Sequence, residues 1–581
     1  MGKFLEELKR RNVPKSALAY LIVAWVLIQV FTTLLPIVDA PEWVLKALTA
    51  ILAIGLPIWI VVSWIYNLSP EGITKTTRDT DSELVRNITN KRLNAFLIAG
   101  LSLAVIVMGL KLTNVLDFSS KDRLAIAVMP FVNLSGDSEQ EYFSDGLSEE
   151  LINKLALTPQ LKVIGRTSSF SFKGKNVDLR QIGKMLGAAY LLEGSVRRAG
   201  NKLRITAMLI NAEDGFQLFS NTFDRELRDI FAVQDEIALA ILDAIKIKLL
   251  KSEEEAFFRK NTENNEAYQL YLKGRYFKNR FTPDALLKAI EYYDQAIAID
   301  PSYAIAFAEK AFCYTSLRDF KWLPSDQTLP QGLEAAERSI ALDDNLAESQ
   351  LAVGRILLHY RWNVRDALAA FRKAVAINPN SAEAHVQIGF CLSLMGRHEE
   401  AMSYARIAEN LDPLSLMNMF FTTLIYGQAR DFDAVMENGQ KLIDLEPNFF
   451  GGHLWAGLGY FNLGRNEDAM SEIELASKLN PGSFTLGYLA SFHALAGDEE
   501  RARELTSALE STDVNKYGGA TELMYCKAAL NDLDAAFQYF DMAIENRENH
   551  ILWVDGFSWN MPEFRKDPRF AQRRSKRNLI F

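Results

Sequence analysis

Four prolines set the frame of this chain. Pro379, Pro413, Pro447 and Pro481 follow one another at intervals of 34 residues. A fixed period of that length marks a solenoid made of one repeated helix–turn–helix unit. Small residues keep the same register. Ala367, Phe371 and Ala374 lead into Pro379, Ala401, Ala405 and Ala408 into Pro413, and Ala469, Ile473 and Ala476 into Pro481. Small side chains let two antiparallel helices approach closely, and the proline ends the second helix because it cannot continue the hydrogen-bond ladder.

The first helix of each unit has its own signature, Ile388-Gly389 with Leu392 and Ala456-Gly457 with Tyr460. Together the two halves resemble the tetratricopeptide-repeat family. The pattern runs back through Ala289, Tyr293, Ala296 and Pro301, and forward, weaker, to Ala536, Phe540 and Ala543. Residues 264–548 therefore read as about eight helix pairs, with the phasing loosest near 316–331 and 484–520.

A chain of 581 residues implies several domains. Its net charge of −9 argues against a nucleic-acid partner, which a basic footprint would announce. Cys313, Cys391 and Cys526 lie far apart in predicted first helices. They form neither a metal pattern nor a disulfide framework and read as buried thiols.

Three apolar stretches, 16–38, 44–66 and 94–116, are each near the ~20 residues that cross a bilayer as a helix. Residues 1–118 are accordingly expected to be a membrane unit of three transmembrane helices. Lys3, Lys9, Arg10, Arg11 and Lys15 precede the first stretch, and Lys75, Arg78, Arg86, Lys91 and Arg92 fill the link after the second. Such an excess marks the cytoplasmic side. The expectation is a multi-pass protein of the bacterial inner membrane, its amino terminus cytoplasmic and its carboxy-terminal domains periplasmic. No acidic residue lies inside the stretches, which argues against proton-coupled transport.

Between this unit and the repeats, residues 122–250 read as a small α/β domain with a mixed sheet. Leu124–Val132 and Leu161–Ile164 are predicted strands, Asp178–Leu186 a helix. Ala189–Arg198, Lys202–Asn211 and Phe216–Phe223 are three more strands, joined at Gly200-Asn201 and Asp214-Gly215. Ile237, Ile241, Leu242, Ile245 and Leu249 give Ile230–Leu249 helical spacing. Residues 549–581 are read as a capping segment with a basic tail.

The runs AVMPFVNLSGDSEQEYFSDGLSEELINKL and LLEGSVRRAGNKLRITAMLINAEDGF resemble the TolB amino-terminal-like (FlgO-like) domain of bacterial membrane-anchored repeat proteins. That resemblance implies an architecture and a topology more than an activity. In relatives a cyclase or winged-helix output domain precedes the membrane segment. Here only about fifteen residues do, so no such domain is expected.

The chemistry suggested by residue types is sparse. Lys173-Gly174-Lys175 is followed by no phosphate-loop pattern. His385 and His453 fall at one repeat position two units apart and read as packing residues. Asp145, Glu149 and Glu150 read as a helix start favoured by the helix dipole. Arg166, Arg197 and Arg198 read as a polar strand edge rather than an anion site. No catalytic residue, metal ligand or cofactor is expected. The better site is the concave face of the repeats, where family phasing places Val386, Phe390, Phe420, Leu424, Leu454, Leu458 and Phe461. Burial of an apolar helix or peptide is the natural use of such a face, at ~25 cal/mol per Å². Self-capping by Trp553, Phe557, Trp559, Phe564 and Phe570 is the alternative. The expected function is a non-enzymatic scaffold or sensor that recognises a protein or peptide partner. A signalling subunit that couples binding to a separate cytoplasmic effector is the second reading.

Overall fold

The computed structural model describes residues 124–249, 251–511 and 519–576, together with scattered positions between 17 and 75. The chain divides into two compact units, Met1–Asp122 and Arg123–Phe581.

In the first unit the described helical positions lie between 17 and 28 and between 48 and 59. The Tyr20 hydroxyl donates to the Leu52 carbonyl at 2.8 Å, and its ring lies 6.0 Å from that of Trp59. Strands β1 (Tyr66–Ser69) and β2 (Gly72–Lys75) then pair antiparallel. Among the described residues no helix is long and apolar enough to cross a membrane. This corrects the expectation of three transmembrane helices. Hydropathy counts apolar residues but does not fix how far one helix runs, and Tyr66, expected to close the second span, opens a hairpin. The stretch 94–116 lies outside the described residues. The inner-membrane placement, the periplasmic carboxy-terminal domains and the bilayer contact all rested on those spans and fall with them.

The second unit begins with a mixed sheet. Strands β3 (Leu124–Val128), β5 (Leu161–Val163), β6 (Tyr190–Ala199), β7 (Lys202–Asn211) and β8 (Gln217–Glu226) run in the order β5-β3-β6-β7-β8, and β4 (Val132–Asn133) pairs with β6. The pairs β3–β5 and β3–β6 are parallel; β6–β7 and β7–β8 are antiparallel hairpins. Helices α1 (Glu141–Ala156) and α4 (Ile230–Ala244) cover one face, burying Leu147, Leu151, Val233 and Ile237 against Ile126, Leu192 and Ile205. On the other face α3 (Leu179–Leu186) sets Ile182 and Leu186 against Ala127 and Leu191; α2 (Arg166–Phe170) follows β5.

A short helix, α5 (Lys251–Phe257), precedes eight helix pairs among the described residues. They are α6 (Asn265–Lys278) with α7 (Pro283–Ile299), α8 (Ala304–Asp319) with α9 (Ser325–Leu342), and α10 (Ala347–His359) with α11 (Val364–Ile377). Next come α12 (Ala382–Leu394) with α13 (His398–Leu411), α14 (Leu416–Ala429) with α15 (Phe432–Leu445), and α16 (Phe450–Asn462) with α17 (Asn466–Leu479). The last are α18 (Ser483–Leu495) with α19 (Glu499–Glu510) and α20 (Ala520–Ala529) with α21 (Leu533–Glu545). Helices α11, α13, α15 and α17 each stop two residues before one of the periodic prolines. The extra residues near 316–331 form a turn around Trp322 and a longer α9.

Close approach between units needs residues without a side chain. A β-carbon on Gly459 of α16 would stand 2.7 Å from the Met436 backbone of α15, and one on Gly439 would fall inside the Ala456 backbone. Gly459→Ala is expected to destabilise the fold by about 1–3 kcal/mol, because overpacking outweighs the better helix propensity. A urea-melting midpoint at or above that of the parent would refute this.

Repeat turns also dock the sheet domain. The Asn380 side chain accepts from Val163 N at 3.0 Å and donates to the Ala156 carbonyl at 2.9 Å, so it occupies the open edge at β5. One turn later Asp412 accepts from Ser168 N at 2.8 Å, and Gly165 N donates to the Leu411 carbonyl at 2.7 Å. Sheet and solenoid are thus bonded through the residues beside Pro379 and Pro413.

Candidate functional site

The chain after α21 folds into short turns, with α22 (Val554–Phe557), α23 (Pro562–Lys566) and α24 (Pro568–Lys576), and lies across the inner faces of the first helices. Its aromatic residues meet theirs. Trp553 stands edge-on to Phe390 of α12 at 6.1 Å, and Phe557 stacks on Trp455 of α16 at 6.0 Å and 20°. Phe557 also touches Tyr488 of α18 at 5.1 Å and Tyr525 of α20 at 6.1 Å. Phe564 and Phe570 cap α21 through Phe537 and Phe540. The side chain of Trp559 lies outside the described residues.

Polar contacts fix the segment at its start. Glu548 accepts from the backbone N–H groups of Gly519, Ala520 and Thr521, each at 3.0 Å, and so caps α20. His550 Nδ1 lies 2.6 Å from Glu522 Oε1, and Lys321 Nζ lies 2.7 Å from Glu522 Oε2. Burial pushes the Glu522 carboxyl up, but the Lys321 ammonium and the His550 ring hold it well below the ordinary range. Arg547 donates to the Tyr360 carbonyl at 3.0 Å. The arginines of the tail are engaged as well, Arg569 with Asp534, Arg573 with Asp541 and Arg574 with Asp555. Arg577 lies outside the described residues.

The structure brings Phe390, Phe420, Leu424, Leu454 and Leu458 into one apolar cluster with the carboxy-terminal segment, and Phe461 packs at its margin, 4.7 Å from Phe492. Val386 sits in a smaller cluster with Ala382, Ala408 and Leu411, between helices. Sequence reasoning missed Trp455, Tyr488, Tyr525 and the anchoring pair Glu522 and Glu548. Trp455 beside the phased Leu454, and Tyr488 one 34-residue period after Leu454, opposite an aromatic-rich tail, were the available signal.

Several other groups singled out by residue type make contacts within the fold. Glu149 is not at a helix start but in the third turn of α1, 2 % exposed. Arg166 Nε donates to its Oε1 at 2.5 Å, Asn279 Nδ2 to the same oxygen at 2.9 Å, and Arg275 Nη2 lies 2.5 Å from Oε2. Burial alone would push this carboxyl up; the Arg166 and Arg275 guanidiniums overcome that and hold it down to about 2. Glu150 faces Arg275 and is raised, since burial dominates there. Arg166 lies on a helix, not a strand edge, and Arg198 reaches Gln140 and Gln269. His385 Nε2 lies 3.2 Å from the Pro379 carbonyl, and His453 Nε2 lies 2.8 Å from that of Pro447, one repeated packing contact. All three cysteines are buried free thiols, and burial pushes Cys526 up to about 12. Among the described residues no group of three acidic, histidine or cysteine side chains could hold a metal ion.

Comparison with known proteins adds the following. Residues 370–402 match the tetratricopeptide-repeat model, and residues 121–240 match the HilA/YgeH-like transcriptional regulator, second domain. The helical array is a tetratricopeptide-repeat solenoid. The chain is 40% identical over 222 residues to "Putative adenylate cyclase 3" of Rhizobium meliloti, covering 38% of each. It is 23% identical over 268 residues to transcriptional regulator HilA of Salmonella typhimurium, covering 46% of this chain and 42% of that one. The chain thus spans about two-fifths of the length of these curated relatives. Among solved structures, a tetratricopeptide repeat protein from Parabacteroides merdae is 16% identical with a TM-score of 0.33, covering 45% of this chain and 99% of that one.

Proposed function

We propose that the chain is a non-enzymatic protein-interaction scaffold whose repeat groove takes an aromatic, turn-rich or helical segment of a partner protein. The supporting observation is that the groove holds such a segment already, the chain's own residues 549–570, through Trp553 on Phe390 and Phe557 on Trp455. Helix-in-groove recognition uses apolar anchors of this kind, and aromatic anchors dominate binding energy in desolvated pockets.

The seat is imperfect in a way that favours exchange. The indole N–H groups of Trp455 and Trp553 are buried and have no hydrogen-bond partner among the described residues. Each such donor costs ~1–3 kcal/mol, so displacement that returns Trp553 to water, by a partner segment that brings an acceptor to Trp455, gains what the native seat lacks. The relatives point the same way. One carries the name of a cyclase and another that of a transcriptional regulator, and a stretch of chain shared by proteins of such different names suits an adaptor.

The test uses the full chain with Trp553→Ala and Phe557→Ala, which loosens the native segment. A labelled peptide of residues 546–571 should bind this variant saturably in the micromolar range, and adding Phe390→Asp should abolish binding while circular dichroism stays unchanged. A folded double variant that ignores the peptide would sink the proposal.

A further inference from the structure

A second recess lies where the sheet domain meets the repeats, apart from the groove. It has a volume of about 530 Å³, within the ~300–1,000 Å³ of small-molecule sites. Its walls are held to each other by two bonds, in which Gly165 N donates to the Leu411 carbonyl and Leu414 N donates to the Ser168 hydroxyl oxygen at 2.8 Å, so it is preformed. Phe170, Phe172, Met185, Tyr276, Leu414 and Leu445 supply apolar surface.

The charged lining is mostly cationic in a chain of net charge −9: Arg166, Lys173, Lys175 and Arg280 against Asp145 and Glu446. Two of the four cations are engaged, Arg166 with Glu149 and Lys173 with Glu141 and Asp145. Lys175 and Arg280 form no ion pair among the described residues. Arg280 lies over Tyr276 at 4.7 Å and donates one N–H to its hydroxyl at 2.9 Å, which orients the guanidinium and leaves its other donors free. Gly174, at φ +72, makes the turn that brings Lys173 and Lys175 to one rim. The Lys-Gly-Lys motif, which has no phosphate-loop context in sequence, thus places both lysines on the lining of the recess.

We propose that this recess binds a small organic phosphate monoester bearing a flat ring. The phosphate meets Lys175 and Arg280, for which the planar guanidinium is well shaped. The ring lies against the apolar wall to which Phe170, Met185 and Leu414 contribute. Glu446, whose carboxylate accepts only from Asn448 N at 3.3 Å among the described residues, opposes the anion.

Phenyl phosphate is the probe, with phenol and inorganic phosphate as its halves, titrated calorimetrically into the full chain at low salt. Phenyl phosphate should saturate in the low millimolar range or tighter, and each half should bind at least ~10-fold more weakly. Lys175→Ala with Arg280→Ala should weaken binding at least ~10-fold, and Glu446→Gln should tighten it ~2–5-fold by removing a like charge. Lys202→Ala, on the sheet hairpin, should change nothing. No saturation by about 20 mM, or an equal loss in Lys202→Ala that marks diffuse surface charge, would overturn the assignment, as would tighter binding of inorganic phosphate than of phenyl phosphate.

Discussion

Glu149→Gln is expected to lower the unfolding free energy by about 3 kcal/mol at neutral pH. The carboxyl titrates near 4.5 in an unfolded chain and at about 2 here, and each unit is worth ~1.4 kcal/mol. The sign follows from a lowered folded value. The contribution is complete above about 4.5 and is lost as pH falls through about 2. The deficit of the variant should therefore be constant from pH 7 down to about 5, shrink steadily below that, and approach zero only below about pH 2, where the native carboxyl becomes neutral. Urea unfolding at a series of pH values measures this directly. A deficit that ignores pH would mean that shape, not charge, holds Arg166, Arg275 and Asn279 around this side chain.

Trp553→Ala is the second large effect. The indole is 5 % exposed, sits against Phe390 and stacks on His550 at 5.1 Å. Truncating a buried tryptophan costs about 3–5 kcal/mol. That loss should fall on the carboxy-terminal segment, because Trp553 packs in the apolar cluster of the repeats and the sheet domain has a core of its own. Hydrogen exchange should show protection over 549–570 reduced at least ~100-fold, with β6 and β7 unaffected. Uniform loss across the molecule would show that the segment does not open by itself.

The repeats were legible because their cause is local. A proline after each second helix and an alanine or glycine at each close contact recur wherever the unit recurs, so Pro379 to Pro481 alone placed most of α11–α17. The hairpins were legible for the same reason, with Gly200 at φ +59 where the turn requires it. Other features depend on partners far along the chain. Nothing near Glu149 says that Arg275, 126 positions away, buries it. The five residues of α2 are too few to show a period. Apolar content at 16–38 and 44–66 could not say where a helix stops. Of the proposed groove, the apolar character of its wall could be read from the sequence; its occupation by Trp553 and Phe557 needed the superhelical curvature that brings α12 and α20 to one segment.

Lys321, in the second helix pair, bonds Glu522 in the eighth. Arg547, just before the segment, bonds the Tyr360 carbonyl that follows α10. An open repeat array touches only nearest neighbours, so its ends fray and its units melt in succession. Here the far ends are joined across the interior. Heat or denaturant should therefore meet one all-or-none transition over residues 265–576 rather than a staircase, and the mechanical strength of the array should reside in its clasp rather than in any single repeat.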